Sequence, residues 1–553
     1  MIRIFITFII AVLSLPATSK TRSEKNEISR NLNIFNSLYK ALQTSYVDSI
    51  DAGKTMRNAI DAMLSDIDPY TEYYPEEEQE DFLSVSTGEY GGIGSYIQQR
   101  PGKGVAISAP REGSPAARAG LLPGDEFIAI DSDTVIGWTS AKVSERLKGQ
   151  PGTTVRVTVK RPYAPDSIIS FDIVREKIEI DPVPYYGLLP DGLTGYINLA
   201  TFNEKSAEAV KGAFLNLKDR GMESLVLDLR GNGGGILDGA VQILSFFLPK
   251  GTEVLRTRGK GLLNEQVYKT TGKPLDTKIP IAVLVDGGTA SSSEIVAGAI
   301  QDLDRGIIVG NRSFGKGLVQ STRQLPFNGL LKVTIARYYT PTGRCVQALD
   351  YSHRNPDGSV ARVPDSLTNV FHTPNGREVR DGGGITPDIT VELPAGNRLV
   401  YNIVTEGWNF DYATRFHATN TSIKSPGEWA VTDSIYEDFK AFIDPEKLEY
   451  DKLCEIIVDE LEKAARNEGY DTPEVQQQID VLKGLLKHNL SHDLDIHRNQ
   501  IERYLASEIM QRYYFEKGVI EESLRHDETL NSAVKVLNSR DDYYTILGHR
   551  KKK

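Results

Sequence analysis

Residues 279–320 determine the fold that the sequence predicts. They open with Ile279-Pro-Ile-Ala-Val-Leu-Val285, an apolar run typical of a buried strand, and Asp286-Gly-Gly288 supplies a turn. Thr289-Ala-Ser-Ser-Ser-Glu294 then begins a helical pattern, and Gly306-Ile-Ile-Val-Gly310 has the composition of a second strand. Because strand, helix and strand follow one another, we predict an α/β core around this stretch.

The second strand leads into a glycine-flanked loop, Ser313-Phe-Gly-Lys-Gly-Leu-Val-Gln320. A strand-to-helix turn exposes a serine at the mouth of a sheet, where the helix N-terminus favours negative charge. Lys316, held in an apolar loop, could lose its proton and act as the base for that serine. The residues therefore suggest a serine–lysine peptidase. The alternative is a capping box of Ser291 and Glu294, which explains those two residues but leaves Lys316 unexplained.

Other nucleotide-binding and catalytic patterns fit less well. Gly310-Asn-Arg-Ser-Phe-Gly-Lys316 matches the first part of a P-loop, but Gly317 replaces the serine or threonine that binds magnesium. Gly231-Asn-Gly-Gly-Gly235 lacks the Gly-x-Gly-x-x-Gly spacing of a dinucleotide loop, and no Gly-x-Ser-x-Gly elbow occurs. A Ser–His hydrolase stays open, because triad order varies between folds and His353 or His372 could reach back to the serine.

The N-terminus has the features of an export signal. Arg3 precedes an apolar stretch over residues 4–15, and Pro16-Ala17-Thr18-Ser19 ends it in an Ala-x-Ser pattern that suits signal peptidase. We expect residues 1–19 to be removed, which would place the protein in the periplasm or elsewhere outside the cytoplasm. If the signal is retained instead, it would anchor the protein to the membrane.

Length and charge limit the architecture and the partners. At 553 residues the chain is too long for one core, and its net charge of −11 argues against nucleic acid as the main partner. Residues 20–85 predict a helical N-terminal segment, with helical spacing over residues 34–64. Asp68-Pro-Tyr-Thr-Glu-Tyr-Tyr74 ends that spacing, since proline interrupts a helix.

Residues 86–176 resemble a PDZ domain. The resemblance rests on alternating strands and on the phrase Gly113-Ser-Pro-Ala-Ala-Arg-Ala-Gly-Leu-Leu-Pro-Gly-Asp125. PDZ domains bind peptide C-termini by adding a strand to an open sheet edge. We expect the backbone N–H groups of one loop to bind the terminal carboxylate, and a purely structural PDZ-like spacer is the alternative. The residues of that loop are Tyr90, Gly91, Gly92, Ile93 and Gly94.

Residues 177–395 show strands alternating with helices, which extends the predicted α/β unit. Ser224-Leu-Val-Leu-Asp-Leu-Arg230 predicts a buried strand, and residues 236–247 predict the helix after the glycine-rich loop. A strand pair is expected around residues 330–339.

Residues 396–553 predict a mostly helical C-terminal domain without a catalytic motif. Residues 408–425 look polar and irregular. We expect the domain to serve in self-association, in docking to an adaptor or as a cover for the substrate channel. His488 and His492 are four residues apart, a spacing that could bind a metal, but we interpret them as part of a solvated helix face and predict no metal site. Amphipathic spacing predicts helices over residues 433–442, 445–467, 472–490 and 496–514.

Five motifs together resemble those of the carboxyl-terminal processing peptidases, also called tail-specific proteases. They are Leu227-Asp-Leu-Arg-Gly-Asn-Gly-Gly-Gly235, Thr289-Ala-Ser-Ser-Ser-Glu-Ile-Val-Ala-Gly-Ala299, Ser313-Phe-Gly-Lys-Gly-Leu-Val-Gln320, Tyr338-Tyr-Thr-Pro-Thr-Gly-Arg344 and Gly384-Ile-Thr-Pro-Asp388. The resemblance covers about residues 33–395. It implies a multidomain α/β protein whose crotonase-like (ClpP/crotonase-type) peptidase core carries an inserted PDZ domain, between a helical N-terminal segment and a helical C-terminal domain. It implies no dedicated metal or cofactor.

The resemblance also implies roles for individual residues. By motif position, Ser291 is the nucleophile, Lys316 is the general base, and Gln320 orients the lysine. The expected activity is that of an exported serine endopeptidase that recognises polypeptides by accessible, nonpolar C-termini through its PDZ domain. A catalytically silent peptide-binding scaffold is the alternative from another class. The presence of serine, lysine and glutamine together argues against it.

The expected oxyanion hole consists of two backbone N–H groups. One belongs to Ser292 at the helix start. The other belongs to Gly231-Asn-Gly-Gly-Gly235, the glycine loop, where motif alignment favours Gly234 over Gly233. Ser292 replaces an alanine that is common at this position in the family, so a second hydroxyl adjoins the expected nucleophile.

Overall fold

The structure, a computed structural model, describes residues 19–164, 167–260, 265–355, 359–392, 396–448, 450 and 453–548. The predicted export signal, apart from Ser19, lies outside these residues. Within the described ranges, no helix combines the length and the apolar character that a membrane span requires.

Helices dominate the N-terminal segment. α1 (Ser19–Ser45) and α2 (Ala52–Ser65) divide the helical stretch predicted over residues 34–64. The break occurs at Asp51, whose backbone is extended and whose side chain accepts the Lys54 N–H as the N-cap of α2. The segment continues through β1 (Glu72–Tyr74), a 3₁₀ turn (Glu76–Glu78) and α3 (Gln79–Thr87).

The predicted PDZ unit is built from an antiparallel sheet and two short helices. Its elements are β2 (Glu89–Gly92), β3 (Ser95–Arg100), β4 (Gly104–Pro110), α4 (Pro115–Ala119), β5 (Glu126–Ile130), β6 (Asp133–Thr134), α5 (Ser140–Leu147), β7 (Thr154–Lys160), β8 (Ile168–Val174) and β9 (Glu176–Glu179). The strand order is β3-β4-β5-β7-β8, with β6 paired to β5, and β2 pairs separately with β9. Because β3 stands at the end of this order, its outer edge is free of any described strand.

The α/β core follows. Its elements are β10 (Tyr185–Leu188), β11 (Thr194–Asn198), α6 (Ser206–Asp219), β12 (Ser224–Asp228), α7 (Leu237–Phe247), β13 (Glu253–Gly259), β14 (Glu265–Lys269), β15 (Ile281–Val285), α8 (Ser292–Asp302), β16 (Ile307–Gly310), β17 (Leu318–Gln324), β18 (Leu330–Tyr339), β19 (Leu349–Arg354), β20 (Val360–Arg362), a 3₁₀ turn (Asp365–Leu367), β21 (Val370–His372), β22 (Glu378–Arg380) and β23 (Ile389–Thr390). The main sheet has the order β10-β11-β12-β15-β16-β23 and is parallel except for β10.

The C-terminal domain is helical, and one prediction there is wrong. Residues 408–425, predicted as irregular, contain α10 (Trp408–Thr419). A helix forms because Tyr412 packs in an aromatic cluster with Phe439, while Trp408 and Phe416 pack against the same core. The other helices are α9 (Arg398–Thr405), α11 (Asp433–Phe442), α12 (Leu453–Asn467), α13 (Pro473–Leu485), α14 (Leu490–Ile496), α15 (Arg498–Ser523), a 3₁₀ turn (Leu524–His526), α16 (Glu528–Leu537) and α17 (Arg540–Ile546).

Helices cover both faces of the main sheet, which explains its uninterrupted apolar strands. Every residue of β12, β15 and β16 is buried. One face packs against α6, α7 and α8, and the other packs against α16 and α17. Parallel strands that are buried on both sides appear in sequence as continuous hydrophobic runs. The last two helices therefore complete the α/β core.

A second sheet carries the segment that follows Lys316. Its central strand, β18, pairs with β17 along one edge and with β13 and β1 along the other. The strand pair predicted around residues 330–339 is thus β17 with β18, and β18 alone fills that range. The pairing with β1 brings the N-terminal segment to the sheet that continues from residues 313–317, the lysine loop.

Leu530 on α16 tests the packing of the last helices. It is 2% exposed and belongs to the apolar cluster between the main sheet and the helices α16 and α17. Replacement by alanine should lower the free energy of unfolding by about 2–5 kcal/mol, because it leaves a cavity in a closely packed layer. Hydrogen exchange at the amides of β12 and β15 would measure the loss. Leu485→Ala is the control, since Leu485 is 75% exposed and should change stability by no more than about 0.5 kcal/mol. Equal effects of the two changes would contradict the packing.

Candidate active site

Ser291 lies at the junction between the main sheet and α8. Its backbone has φ 56° and ψ −116°, a conformation that a residue with a side chain rarely adopts. Such strain persists where the surrounding structure enforces it, and it is concentrated at functional sites. The nucleophile of α/β-hydrolases likewise sits on a strained turn from strand to helix, although this chain lacks their sequence motif.

The three neighbouring serines have different surroundings. Ser292 donates its hydroxyl to the carbonyl of Gly235 at 2.9 Å, and Ser293 donates to the carbonyl of Asn232 at 2.9 Å. Both side chains are buried. Ser291 is partly exposed, and its hydroxyl donates to no other residue in the described part of the chain. The Ser291 hydroxyl is therefore the one that can meet a substrate.

Glu294 joins the serine segment to the lysine loop. Its side chain is fully buried and accepts four hydrogen bonds. The donors are the Ser291 N–H at 2.9 Å, the Ser313 hydroxyl at 2.5 Å, the Gly315 N–H at 2.7 Å and the Lys316 N–H at 2.9 Å. Burial raises the pKa of Glu294, and the donors oppose that shift by stabilising the carboxylate. The sequence indicated only the contact with Ser291, as part of a capping box.

Lys316 is held in an environment that disfavours its charge. Burial and, to a smaller extent, the nearby charge of Lys332 lower its pKa to about 8, although Glu294, Asp68 and Glu72 act in the opposite direction. Among the described residues, none forms an ion pair or a hydrogen bond with its Nζ.

Tyr70 is a site residue that the sequence did not reveal. The Nζ atom of Lys316 lies 4.4 Å from the centroid of the Tyr70 ring. The available signal was the turn-forming phrase Asp68-Pro-Tyr-Thr71, which we interpreted only as the end of a helix.

Gln320 does not make the contact expected of it. Its side-chain amide donates to Thr334 at 3.1 Å, and no hydrogen bond to Lys316 is present between these described residues. The reason is the strand register, because Gln320 on β17 lies directly opposite Thr334 on β18.

The glycine loop lies against Ser291. A Cβ built on Gly234 would stand 2.8 Å from the Cβ of Ser291 and 2.9 Å from the N atom of Ser292. The Gly234 N–H itself donates to Oδ1 of Asn232 at 2.9 Å, so it is already occupied. In this conformation the Gly234 N–H is therefore not free for the oxyanion, and its predicted role stays a prediction. The N–H groups of Gly233 and Ser292 have no acceptor among the described residues.

Arg230 fastens the start of the glycine loop to the C-terminal domain. Its guanidinium binds Asp228 and also donates to both carboxylate oxygens of Asp527, at 3.0 and 2.5 Å. Asp527 is the N-cap of α16 and accepts the N–H of Leu530. The loop beside Ser291 is therefore bonded to a residue at the start of the helix that covers the sheet.

The predicted carboxylate loop of the PDZ unit is only partly a loop. Tyr90, Gly91 and Gly92 belong to β2, which pairs with β9, so they lie in a strand and not in a free loop. Ile93 and Gly94 link β2 to β3, and within the described ranges their N–H groups have no acceptor. Ile93 and Gly94 are thus the two predicted residues that lie in the loop itself, and carboxylate binding by the five residues stays a prediction.

The histidines singled out in the sequence have no recorded hydrogen bond to Ser291 in the described part of the chain. The side chain of His353 lies outside the described residues. His372 is exposed on β21, and no hydrogen bond recorded for the described residues joins it to Ser291. His488 contacts the carboxylate of Asp493 at 2.9 Å. The described residues contain no group of His, Cys, Asp and Glu that could hold a metal ion.

Gly234 gives a direct test of the site geometry. Its φ is +96° and a side chain there would collide with Ser291, so Gly234→Ala should reduce peptidase activity by about 10² or more, by displacing Ser291. Hydrolysis of a fluorogenic peptide would measure it. Gly287→Ala is the matched control, because nothing lies within 4 Å of a Cβ at Gly287. Full activity of the Gly234 variant would show that the loop does not need this close approach.

Comparison with known proteins identifies the family of this chain. Residues 193–353 match peptidase family S41, residues 107–161 match the PDZ domain family, and residues 399–537 match a family described as "Probable PDZ-protease, C-terminal helical domain". The chain is 33% identical over 404 residues to a carboxy-terminal-processing protease of Bartonella bacilliformis, which covers 72% of this chain and 84% of that protein. It is 30% identical over 447 residues to a probable CtpA-like serine protease of Staphylococcus haemolyticus, covering 80% and 86%.

Among solved structures, the photosystem II D1 C-terminal processing protease is 28% identical, with a TM-score of 0.36, and covers 65% of this chain and 92% of its own. The strained serine, the lysine loop, the PDZ domain and the helical C-terminal domain thus occur in a sequence whose relatives are C-terminal processing proteases. The chain belongs to peptidase family S41, as a serine-type, C-terminal processing peptidase with a PDZ domain.

Proposed function

We propose that this protein is an exported endopeptidase in which Ser291 is the nucleophile and Lys316 is the general base. The observation that carries the proposal is the convergence on Glu294. The same oxygen, Oε2, accepts the backbone N–H of Ser291 and that of Lys316, each at 2.9 Å. Two residues from separate segments are thereby held at one point, with the only uncommitted serine hydroxyl of the motif on one side and a lysine of lowered pKa on the other.

The reaction follows from these groups. Neutral Lys316 removes the proton of the Ser291 hydroxyl as its Oγ attacks the peptide carbonyl, and the resulting ammonium protonates the leaving amine. Water then hydrolyses the acyl-enzyme by the same proton transfers. The N–H groups of Ser292 and Gly233 are free to bind the oxyanion, and the loss of one such donor typically lowers the rate by about 10²–10³.

The PDZ domain supports a preference for protein tails. An extended C-terminal segment can add to the open edge of β3, while the N–H groups of Ile93 and Gly94 receive its carboxylate. We expect a nonpolar residue at the end of the tail, although the Ile93 side chain itself is 2% exposed and packs in the core of the domain. The predicted signal, residues 1–19, would place this activity outside the cytoplasm.

Substitutions at the motif test the proposed pair. With an unfolded protein that ends in a nonpolar residue as substrate, Ser291→Ala and Lys316→Ala should each reduce cleavage by about 10³ or more. Ser292→Ala is the neighbouring control and should remain active, because its hydroxyl serves only the Gly235 carbonyl.

A double His353/His372→Ala variant separates the mechanisms. Loss of activity in that variant, with Lys316→Ala active, would indicate a Ser–His hydrolase. A wild-type protein that cleaves neither this substrate nor a short peptide would indicate a binding scaffold.

The pH dependence gives an independent test. Lys316 can accept a proton only when neutral, so kcat/KM should rise by about tenfold per pH unit below a pKa of about 8 and level off above it. A catalytic acid would give the opposite dependence, with kcat/KM falling as the pH rises. A profile recorded from about pH 6 to about pH 10 would measure it, and a plateau beginning near about 6.5, the ordinary pKa of histidine, would contradict a lysine base.

A further inference from the structure

Tyr70 contacts the proposed base, although it lies in the N-terminal segment. The centroid of its ring is 4.4 Å from the Nζ of Lys316. We propose that Tyr70 is a positioning residue, whose ring holds the lysine amine in place and keeps water away from it. This inference rests on the Ser291–Lys316 mechanism and adds to it a residue from another part of the chain.

A rigid turn presents Tyr70. The side chain of Asp68 is 4% exposed, and its Oδ1 accepts the N–H groups of Tyr70 and Thr71, each at 2.8 Å. Its Oδ2 accepts the Thr71 hydroxyl at 3.1 Å. Pro69 restricts the backbone between them. Since the turn satisfies its own polar groups, it keeps one shape without help from a ligand.

The turn is also attached to the sheet that follows the lysine loop. Glu72 pairs with Lys332 in the register of β1 and β18, and their side chains form an ion pair at 2.7 Å. The Thr334 N–H donates to the Thr71 hydroxyl at 3.3 Å. Because β18 carries both contacts and pairs with β17, the turn and the strand after Lys316 move as one unit.

The ring of Tyr70 is supported on a second side. Tyr351, on β19, donates its hydroxyl to the Tyr70 hydroxyl at 3.3 Å. The two rings meet edge to face, with their centroids 5.9 Å apart. Edge-to-face packing is a favourable arrangement for aromatic rings. Tyr70 is therefore fixed between Tyr351 and Lys316.

The charged groups around Lys316 explain why a ring suits this position. Lys332 disfavours a second positive charge, whereas Glu294, Asp68 and Glu72 favour it. Each carboxylate already has partners: Asp68 binds its own turn, Glu72 binds Lys332, and Glu294 binds its four donors. The amine thus faces an aromatic surface. Such a surface attracts an ammonium group but accepts no proton, so it orients the lysine with a weaker hold on its charge than a carboxylate would have.

The experiment compares the pH profile of kcat/KM for four proteins: wild type, Tyr70→Leu, Tyr70→Phe and Tyr73→Leu. Tyr70→Leu removes the attraction of the ring for the ammonium group but admits water around Nζ. Because hydration stabilises the charged form more than the ring does, the pH at which kcat/KM levels off should rise by at least about half a unit, towards the ordinary pKa of lysine. Its activity near neutral pH should fall several-fold and recover at high pH. Tyr70→Phe keeps the ring, so its kcat/KM should rise over the same pH range as that of the wild type. Tyr73→Leu is the matched control, since Tyr73 contacts Arg57 and belongs to the same segment.

The other outcomes overturn the inference. If kcat/KM of Tyr70→Leu rises over the same pH range as in the wild type, the ring does not act on the lysine. Full activity would then show that it has no role, and an equal loss of activity at every pH would show only a structural role. If this variant does not fold by circular dichroism, Tyr70→Met replaces it, and the same shift is required. Lys316→Ala in the same assay keeps the two proposals separate. An active Lys316→Ala protein refutes the dyad, whereas an inactive one beside an unshifted Tyr70→Leu refutes only the role of Tyr70.

Discussion

The buried carboxylate of Glu294 is the interaction on which the site depends. Four donors from two separate segments converge on it, and nothing else in the described structure connects the backbones of Ser291 and Lys316 so directly. A buried charge is tolerable only when hydrogen bonds replace its hydration, so each donor is needed. Ser313 extends the arrangement, because its hydroxyl also accepts the Ile385 N–H at 2.6 Å. One carboxylate thus sets the spacing between Ser291 and Lys316.

The strained backbone at Ser291 shows how firmly this arrangement is held. Glu294 holds the N–H of the serine, the Tyr338 hydroxyl donates to its carbonyl at 3.3 Å, and Gly234 packs against its Cβ. Strain of this kind survives only where several contacts oppose relaxation. Those contacts depend in turn on the main sheet, which is enclosed by helices on both faces. Packing far from the chemistry therefore contributes to the orientation of the hydroxyl.

The sequence predicted the features that depend on local pattern and on motif. Burial on both faces makes β15 and β16 continuous apolar runs, so the strands and the intervening helix could be located, and family motifs marked Ser291 and Lys316. The pattern around α10 misled us, because its aromatic residues are separated by polar ones and a helix forms there only through packing with Phe439. Contacts across long separations had no sequence signal.

The structure was needed for three details of the site. The contact of Tyr70 with Lys316 joins distant parts of the chain, and the capture of the Gly234 N–H by Asn232 depends on one loop conformation. The opposition of Gln320 and Thr334 depends on strand register.

The ion pair of Arg230 with Asp527 spans 297 positions of the chain. Ser291 and Lys316 are synthesised before Asp527 and the two helices that cover the sheet, and contacts between residues so far apart in sequence are slow to form. A nascent chain therefore carries Ser291 and Lys316 before the residues that anchor the glycine loop and cover the sheet have been added.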